Sequence, residues 1–291
     1  MTTLNIPPEK VWLVTGCATG FGRAIAETLL SAGYRVAVGS LSTSEVADIV
    51  DEYPETALAV ELDVTNSEMV TAAVASAEEK FGSIDVLVNN AGFGFVGAIE
   101  EGEREEFAPM IEVNLYGTLN MIKAVLPGMR RRSRGHIMNI SSVGGFHASA
   151  AFGMYSVSKF GVEAISESLS VEVAPLGIKV TAVEPGQLRT NFRGSSMHYA
   201  KKVIADYAET CGKTRSFIAE THGTQPGDPK KAAAVLIEIA ESPNPPFRLP
   251  LGSDAYSRVR AKLAAVEEDI AQFEKQAISI NYEGVVTESR V

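Results

Sequence analysis

Hydrophobic residues in this chain follow two alternating patterns. Short, near-continuous apolar runs at 11–15, 34–39, 57–61, 85–89, 135–140 and 179–183 predict strands. Between them lie longer stretches in which apolar residues recur at three- and four-residue spacing. These predict helices over 21–32, 44–53, 67–81, 105–129 and 155–175. In the third of them, Met69, Val70, Ala73, Val74 and Ala77 share one side. Strands without a polar face are buried on both sides, as in parallel sheets. Repeated strand–helix units then imply right-handed crossovers and a parallel sheet covered by helices on both faces.

The rhythm breaks after Pro185. The segment 187–228 shows no convincing strand, yet Met197, Tyr199, Val203, Ile204, Phe217 and Ile218 give it enough apolar surface to fold as a lid over a substrate. A helix is predicted over 229–241, with Asp228 as its N-cap and Pro229 at its first position. Residues 247–251 predict a seventh strand, and 253–276 a long charged helix opening a helical extension over 253–291. The last fifteen residues carry no assigned element. No repeat or second domain interrupts the chain, so residues 1–291 are read as one α/β domain, a doubly wound parallel sheet of seven strands.

Composition narrows the partners. The 291 residues carry a formal net charge of -10, and the one basic run, Arg130 to Arg132 with Arg134, reads as a solvated helix end. Nucleic acid is therefore not an expected partner. Cys17 and Cys211 are the only cysteines, too few for a disulfide framework, which fits a reduced, cytoplasmic location. The stretch MTTLNIPPEK lacks an apolar targeting run, and no apolar run is long enough to cross a membrane. His136, His147, His198 and His222 show no metal-ligand spacing, so no metal is expected.

Candidate chemistry begins where the first strand runs into the first helix, at Thr15-Gly16-Cys17-Ala18-Thr19-Gly20-Phe21-Gly22. Gly16 permits a tight turn, Gly20 lets the backbone approach a pyrophosphate, and Gly22 permits close helix–strand packing. The helix N-terminus that follows offers free N–H groups to phosphate. This is a dinucleotide site of the Rossmann type with altered spacing, T-G-x-x-x-G-x-G. After the second strand, Ser40-Leu41-Ser42-Thr43-Ser44 places no acid against a ribose 2′-phosphate and offers hydroxyls to it, with Arg23 a further candidate. This favours NADP(H) over NAD(H).

A second constellation is Tyr155-Ser156-Val157-Ser158-Lys159 at the start of a helix. Residues four apart share a face, so phenol and ammonium project together. A neighbouring cation is expected to lower the phenol pKa and fit it for acid–base work. Alone the pair is common on surface helices, but Ser142 precedes it by thirteen residues, just past a strand, with Ser141 as its rival.

As a set these motifs resemble the short-chain dehydrogenase/reductase family in its single-domain TGxxxGxG and YxxxK form, over roughly residues 10 to 252. Thr15-Gly16-Cys17 and the long segment after Gly186 are further similar to the 17β-hydroxysteroid-dehydrogenase-like branch. The resemblance implies an oxidoreductase interconverting a secondary alcohol and a ketone, with Asn114, Ser142, Tyr155 and Lys159 catalytic and Ser142 preferred over Ser141. It implies cofactor contacts from Gly16, Ala18, Thr19, Gly20, Phe21, Gly22 and Ser40, and from Asn90, Ala91 and Gly92 in Asn89-Asn90-Ala91-Gly92. Asp63 and Val64 match the adenine positions, though Asp63 also reads as a turn cap. Pro185, Gly186 and Thr190 fall beside the nicotinamide, with Tyr155 and Lys159. Asn114 would hold a water linking the lysine to solvent; without the other motifs it would read as a solvent-facing polar residue. A homodimer or homotetramer, paired through the two long helices, is implied as well.

A small-molecule substrate that is bulky and apolar, steroid-like or aromatic, is expected from Phe93, Phe95, Phe146, His147, Phe152 and Met197, unless several of these pack the core or a subunit contact. The alternative function is a catalytically silent dinucleotide-binding sensor or scaffold.

Overall fold

The computed structural model describes residues 10–282. Residues 1–9, the stretch lacking a targeting run, and 283–291, most of the last fifteen, lie outside the described residues. The elements are β1 (Val11–Val14), α1 (Gly20–Ser31), β2 (Arg35–Ser40), α2 (Ala47–Glu52), β3 (Ala57–Glu61), α3 (Ser67–Phe81), β4 (Val86–Asn89), β5 (Gly94–Val96), α4 (Arg104–Ile111), α5 (Thr118–Arg132), β6 (Gly135–Ile140), α6 (Gly153–Val173), β7 (Ile178–Pro185), β8 (Met197–Tyr199), α7 (Lys213–Thr221), α8 (Pro229–Glu241), β9 (Arg248–Leu251) and α9 (Ser253–Ile278).

Seven strands form one parallel sheet in the order β3-β2-β1-β4-β6-β7-β9. This is the doubly wound Rossmann-type sheet that the apolar runs predict. Within each run, period two still sorts the side chains. Trp12, Val14, Val36, Val38, Val86 and Val88 pack on the face covered by α1, α2 and α8. Leu13, Ala37, Leu87, Ile137 and Val180 pack on the opposite face, against α3, α5 and α6. The strand order reverses between β1 and β4, which opens a crevice at their carboxyl ends.

Local signals set the helix ends. Asn66 Oδ1 accepts the N–H groups of Glu68 and Met69 at the start of α3, and Gly82 closes that helix in the left-handed region at φ 86. Asp228 caps α8 as predicted, through Lys230 N–H at 2.8 Å. The helix predicted over 44–53 begins instead as a 3-10 turn, Thr43–Val46, held by a capping box between Ser42 and Glu45.

Two features depart from the sequence expectation. The stretch 105–129 is not one helix, because a π-helical turn, Glu112–Gly117, separates α4 from α5. The segment after Gly186 does contain a strand: β8 pairs in parallel with β5 in a separate two-stranded sheet. Each strand has three residues, too few for a period to be read, and the partner lies about a hundred positions away.

Candidate active site

The β1–α1 turn is locked to the β4 turn. Thr15 Oγ1 accepts the N–H groups of Asn90 and Ala91, each at 2.9 Å, and Asn90 Nδ2 donates back to the Thr15 carbonyl at 2.9 Å. Gly16 sits at φ +71, and a Cβ there would lie 2.9 Å from Ala91 Cα; at Gly22 it would collide with the Gly16 carbonyl and Asn90 Nδ2. Gly20 is also left-handed, at φ +64. The Thr19 side chain does not cap α1, and its first turn carries no acid, so its N–H groups suit a phosphate. The turn thus fits a dinucleotide pyrophosphate.

A cleft of about 650 Å³ runs over this turn and along the carboxyl ends of the strands. Gly16, Ala18, Thr19, Gly20, Phe21, Ser40, Asp63, Val64, Asn90, Ala91, Gly92, Pro185, Gly186 and Thr190 line it; Gly22 does not, lying beneath the turn. Asp63 Oδ1 accepts the Thr65 N–H and hydroxyl at 2.8 and 2.7 Å, so it caps a turn while facing the cleft. At the Ser40 end an acid does line the wall. Glu45 accepts the Ser40 hydroxyl at 2.5 Å, and the sequence window that stops at Ser44 misses it by one residue. Arg23 does not line this cleft; Glu27 at 2.8 Å and Asp48 hold its guanidinium.

Midway along the cleft, Ser142, Tyr155 and Lys159 come together. Methyl carbon added to Gly144 would lie 3.3 Å from both Ser142 Oγ and Tyr155 Cε1, which places hydroxyl and ring side by side. Ser142 Oγ accepts the Gly144 N–H at 3.0 Å, whereas the Ser141 hydroxyl turns towards α6, 3.5 Å from the Lys159 carbonyl. Lys159 Nζ donates to the Ile140 carbonyl at 2.8 Å and lies 5.9 Å from the Tyr155 ring centre. Burial pushes the Tyr155 phenol up to about 12, against the lowering effect of the neighbouring Ser142 hydroxyl. Loss of solvent outweighs any pull from Lys159 here, because its ammonium is directed at the Ile140 carbonyl. Burial also lowers Lys159 to about 8, with the Glu163 carboxylate opposing.

Asn114 lies in the π-helical turn, buried rather than solvent-facing. Its Oδ1 accepts the Phe93 N–H at 3.0 Å, and its Nδ2 donates to the Phe93 carbonyl at 2.9 Å and to Ser158 Oγ at 3.1 Å. Asn114 does not line the cleft but pins the β4–β5 turn; a Cβ on Gly92 would be 2.8 Å from its Oδ1 and 3.7 Å from Lys159 Nζ.

Beyond Tyr155 the walls turn apolar. His147, Phe152 and Met197 line this end, as expected, and Phe192, Phe217 and Ile218 join them. The Phe192 ring centre is 5.8 Å from that of Tyr155, and no motif in the sequence marks it. Phe93, Phe95 and Phe146 do not line the cleft. Phe93 packs on His198, with ring centres 4.7 Å apart; Phe95 is buried beside Met110 and Phe107; Phe146 lies under the Arg248 guanidinium at 5.3 Å. Strand β5 carries Phe95 into the core, and the turn after Ser142 carries Phe146 towards Arg248 on β9.

Behind the centre, one helical turn after Lys159, lies a cluster of charges. Arg248 on β9 bonds Glu163 at 2.6 Å, Glu167 at 2.9 Å and Glu184 at 3.0 Å. Glu163 and Glu184 are buried, and each keeps one carboxyl oxygen without a hydrogen-bond partner among the described residues. Burial pushes Glu163 up to about 7. Among the described residues no cluster of His, Cys, Asp or Glu could hold a metal, and no helix is long and apolar enough to cross a membrane.

Known proteins share this architecture. Residues 10–200 match the family model described as short chain dehydrogenase. A 3-ketodihydrosphingosine reductase of Bacteroides thetaiotaomicron is 38% identical over 246 residues, 84% of this chain and 88% of that protein. The crystal structure of a short-chain dehydrogenase from Streptomyces avermitilis is 40% identical with a TM-score of 0.88, covering 95% of this chain and 100% of that one. An alcohol dehydrogenase from the archaeon Thermococcus sibiricus, complexed with 5-hydroxy-NADP, is 27% identical with a TM-score of 0.69, over 83% of this chain and 95% of that one.

Proposed function

The chain belongs to the short-chain dehydrogenase family, and from that premise we propose that it interconverts a bulky, apolar secondary alcohol and its ketone, using NADP(H). Membership makes it an NAD(P)-dependent oxidoreductase. The observation that carries the finer reading is the continuity of one cleft, from the phosphate-binding turn, past Ser142 and Tyr155, to an apolar end. When bound, the nicotinamide dinucleotide supplies or takes up the hydride.

Around it the protein positions and protonates. Ser142 holds the substrate oxygen with its hydroxyl. Tyr155 gives that oxygen its proton as negative charge develops in reduction. With its phenol pushed up to about 12, Tyr155 stays protonated through neutral pH, the state reduction needs. Lys159, lowered to about 8, is still mostly charged at neutrality and stabilises the phenolate left behind. Oxidation needs the phenolate first, so its rate rises with pH over the range in which reduction is flat. Asn114 acts by fixing the turn at Phe93 against Ser158.

The segment 187–228 serves as the lid. Phe192, Met197, Phe217 and Ile218 from it face Phe152 across the substrate end, a lining suited to a steroid-sized or aromatic ketone. The Bacteroides relative, a reductase named for a 3-keto lipid base, supports a large apolar substrate. The assay is a panel of ketones with both cofactors, followed by nicotinamide absorbance. Bulky apolar ketones should exceed small polar ones by at least about tenfold in kcat/KM, since each buried methylene adds about 0.8 kcal/mol. A small polar ketone as best substrate overturns the substrate reading. Dinucleotide binding with turnover of none leaves the silent-sensor alternative.

The NADP(H) preference draws on the hydroxyls of Ser40, Ser42 and Ser44 and on the 5-hydroxy-NADP complex of the Thermococcus relative. Glu45 works against it, because a carboxylate beside Ser40 repels a 2′-phosphate. Glu45→Gln should therefore tighten NADP(H) by about threefold, the modest size set by solvent screening at an exposed site, and leave NAD(H) unchanged. Titration of both dinucleotides by fluorescence checks this, and tighter NAD(H) binding by the unsubstituted protein overturns the preference.

A further inference from the structure

α9 is the one long helix whose outer turns cover nothing among the described residues. Ala255 anchors it in the body of the protein, but from Arg260 to its end every residue is exposed. It is not polar all round. Tyr256, Val259, Leu263, Val266, Ile270, Phe273 and Ala277 recur at alternating spacings of three and four, and the series continues to Ile280. That is the seven-residue spacing of a coiled-coil seam, regular over the two heptads from Tyr256 to Ile270 and continued past the break at Phe273. The large side chains in it (Tyr256, Leu263, Val266, Ile270 and Phe273) are 36–60% exposed and lie in one row along the helix. α9 is kinked at Phe273, where φ and ψ leave helical values, and keeps helical φ and ψ from Tyr256 up to that point. A solvated helix gains little from such a stripe unless something covers it.

The charges beside the seam say what does. Arg260 and Lys262 flank its first half; Glu267, Asp269 and Glu274 flank its second half. A seam positive at one end and negative at the other complements itself when reversed. We propose that α9 pairs with α9 of a second copy of this chain, antiparallel about a two-fold axis, as a homo-oligomer interface. One register satisfies both packing and charge. Tyr256 faces the second copy's Phe273, Val259 its Ile270 and Leu263 its Val266, and symmetry repeats all three layers. In antiparallel pairs the flanking positions meet like with like. This register sets Arg260 against the second copy's Glu267, and Lys262 against its Asp269. Sliding one heptad towards the carboxyl end brings Glu267 and Asp269 against their own copies. Parallel pairing brings Asp269 against Glu274. Both alternatives place like charges together. The interface is isologous, as closed dimers require. The inference stands on α9 alone and is independent of the catalytic reading.

Two measurements on the full chain test it. Leu263→Glu puts a charge in the middle layer of the seam while touching no core residue. By sedimentation velocity at micromolar concentration it should have half the particle mass of the unsubstituted protein, with unchanged circular dichroism and dinucleotide affinity. An unsubstituted particle of 31.0 kDa, the mass of one chain, or an unchanged mass in Leu263→Glu, overturns the proposal. For orientation, Val259→Cys and Ile270→Cys are made as separate variants; the natural Cys17 and Cys211 are buried. Under mild oxidation a mixture of the two should cross-link, while Val259→Cys alone should not. Cross-linking of Val259→Cys to itself overturns antiparallel pairing, and no cross-link in either arm overturns the register.

Discussion

Tyr155→Phe is expected to lower kcat for ketone reduction by about a thousandfold, within the roughly 10²–10⁴-fold range of a positioned proton donor. The substitution removes one oxygen and leaves the ring, which packs against Phe152 at 6.0 Å and Phe192 at 5.8 Å between ring centres. Folding and dinucleotide affinity should therefore be unchanged, and the loss should appear in kcat with little change in KM. Ser142 keeps the Gly144 N–H at 3.0 Å, so its placement survives. The pH dependence adds a second reading. In the unsubstituted protein, reduction should be flat through neutrality, because burial holds the phenol at about 12, while oxidation should climb with pH. In Tyr155→Phe the climb attributable to the phenol should vanish. Single-turnover absorbance measurements over this range check both, and turnover within tenfold of the unsubstituted enzyme would falsify the assignment of the proton to Tyr155.

The parts of this protein legible in its sequence are those whose cause is local. A buried parallel strand must be apolar at successive positions, so Trp12 to Val14 or Val36 to Val38 announce themselves. A phosphate-binding turn needs glycine where φ is positive, at Gly16 and Gly20. Tyr155 and Lys159 meet because helix geometry brings residues four apart together. What stayed hidden depends on distant partners. β5 and β8 are strands only because they pair with each other. Phe95 and Phe146 have the composition of a pocket wall, but the direction of a side chain is set by packing. Glu45 reaches Ser40 through a 3-10 turn that its helical pattern does not distinguish from an α-helix. The environment of the Tyr155 phenol is hidden for the same reason: neighbouring charge can be read from spacing, whereas burial cannot.

The cluster behind the centre carries the largest expected effect on stability. Arg248→Ala should cost about 3 kcal/mol at pH 8, the lower part of the range for breaking a buried ion pair, because the guanidinium is itself one-third exposed. It removes the only cation that bonds Glu163, Glu167 and Glu184 among the described residues and leaves two buried carboxylates facing each other's charge. The sign with pH follows from linkage. Burial raises Glu163 from 4.5 to about 7 and raises Glu184 as well, so between those values the native state holds more protons than the unfolded chain. Stability therefore falls as pH rises through that window. Without Arg248 both carboxyls should titrate higher still and the fall should steepen, so the cost should be small near pH 5 and full by pH 8. Adding Glu163→Gln and Glu184→Gln should recover most of the loss at pH 8, since a neutral cluster no longer has a charge to desolvate. Urea unfolding of the three proteins at both pH values measures this. A loss of equal size at pH 5 and pH 8 would mean that Arg248 acts by packing between Phe146 and Phe247, with guanidinium-to-ring distances of 5.3 and 5.2 Å, and not by holding the buried acids. Because Glu163 opposes the burial-driven fall of Lys159, the same substitutions should also displace the pH profile of turnover, through a carboxylate that does not itself touch the substrate.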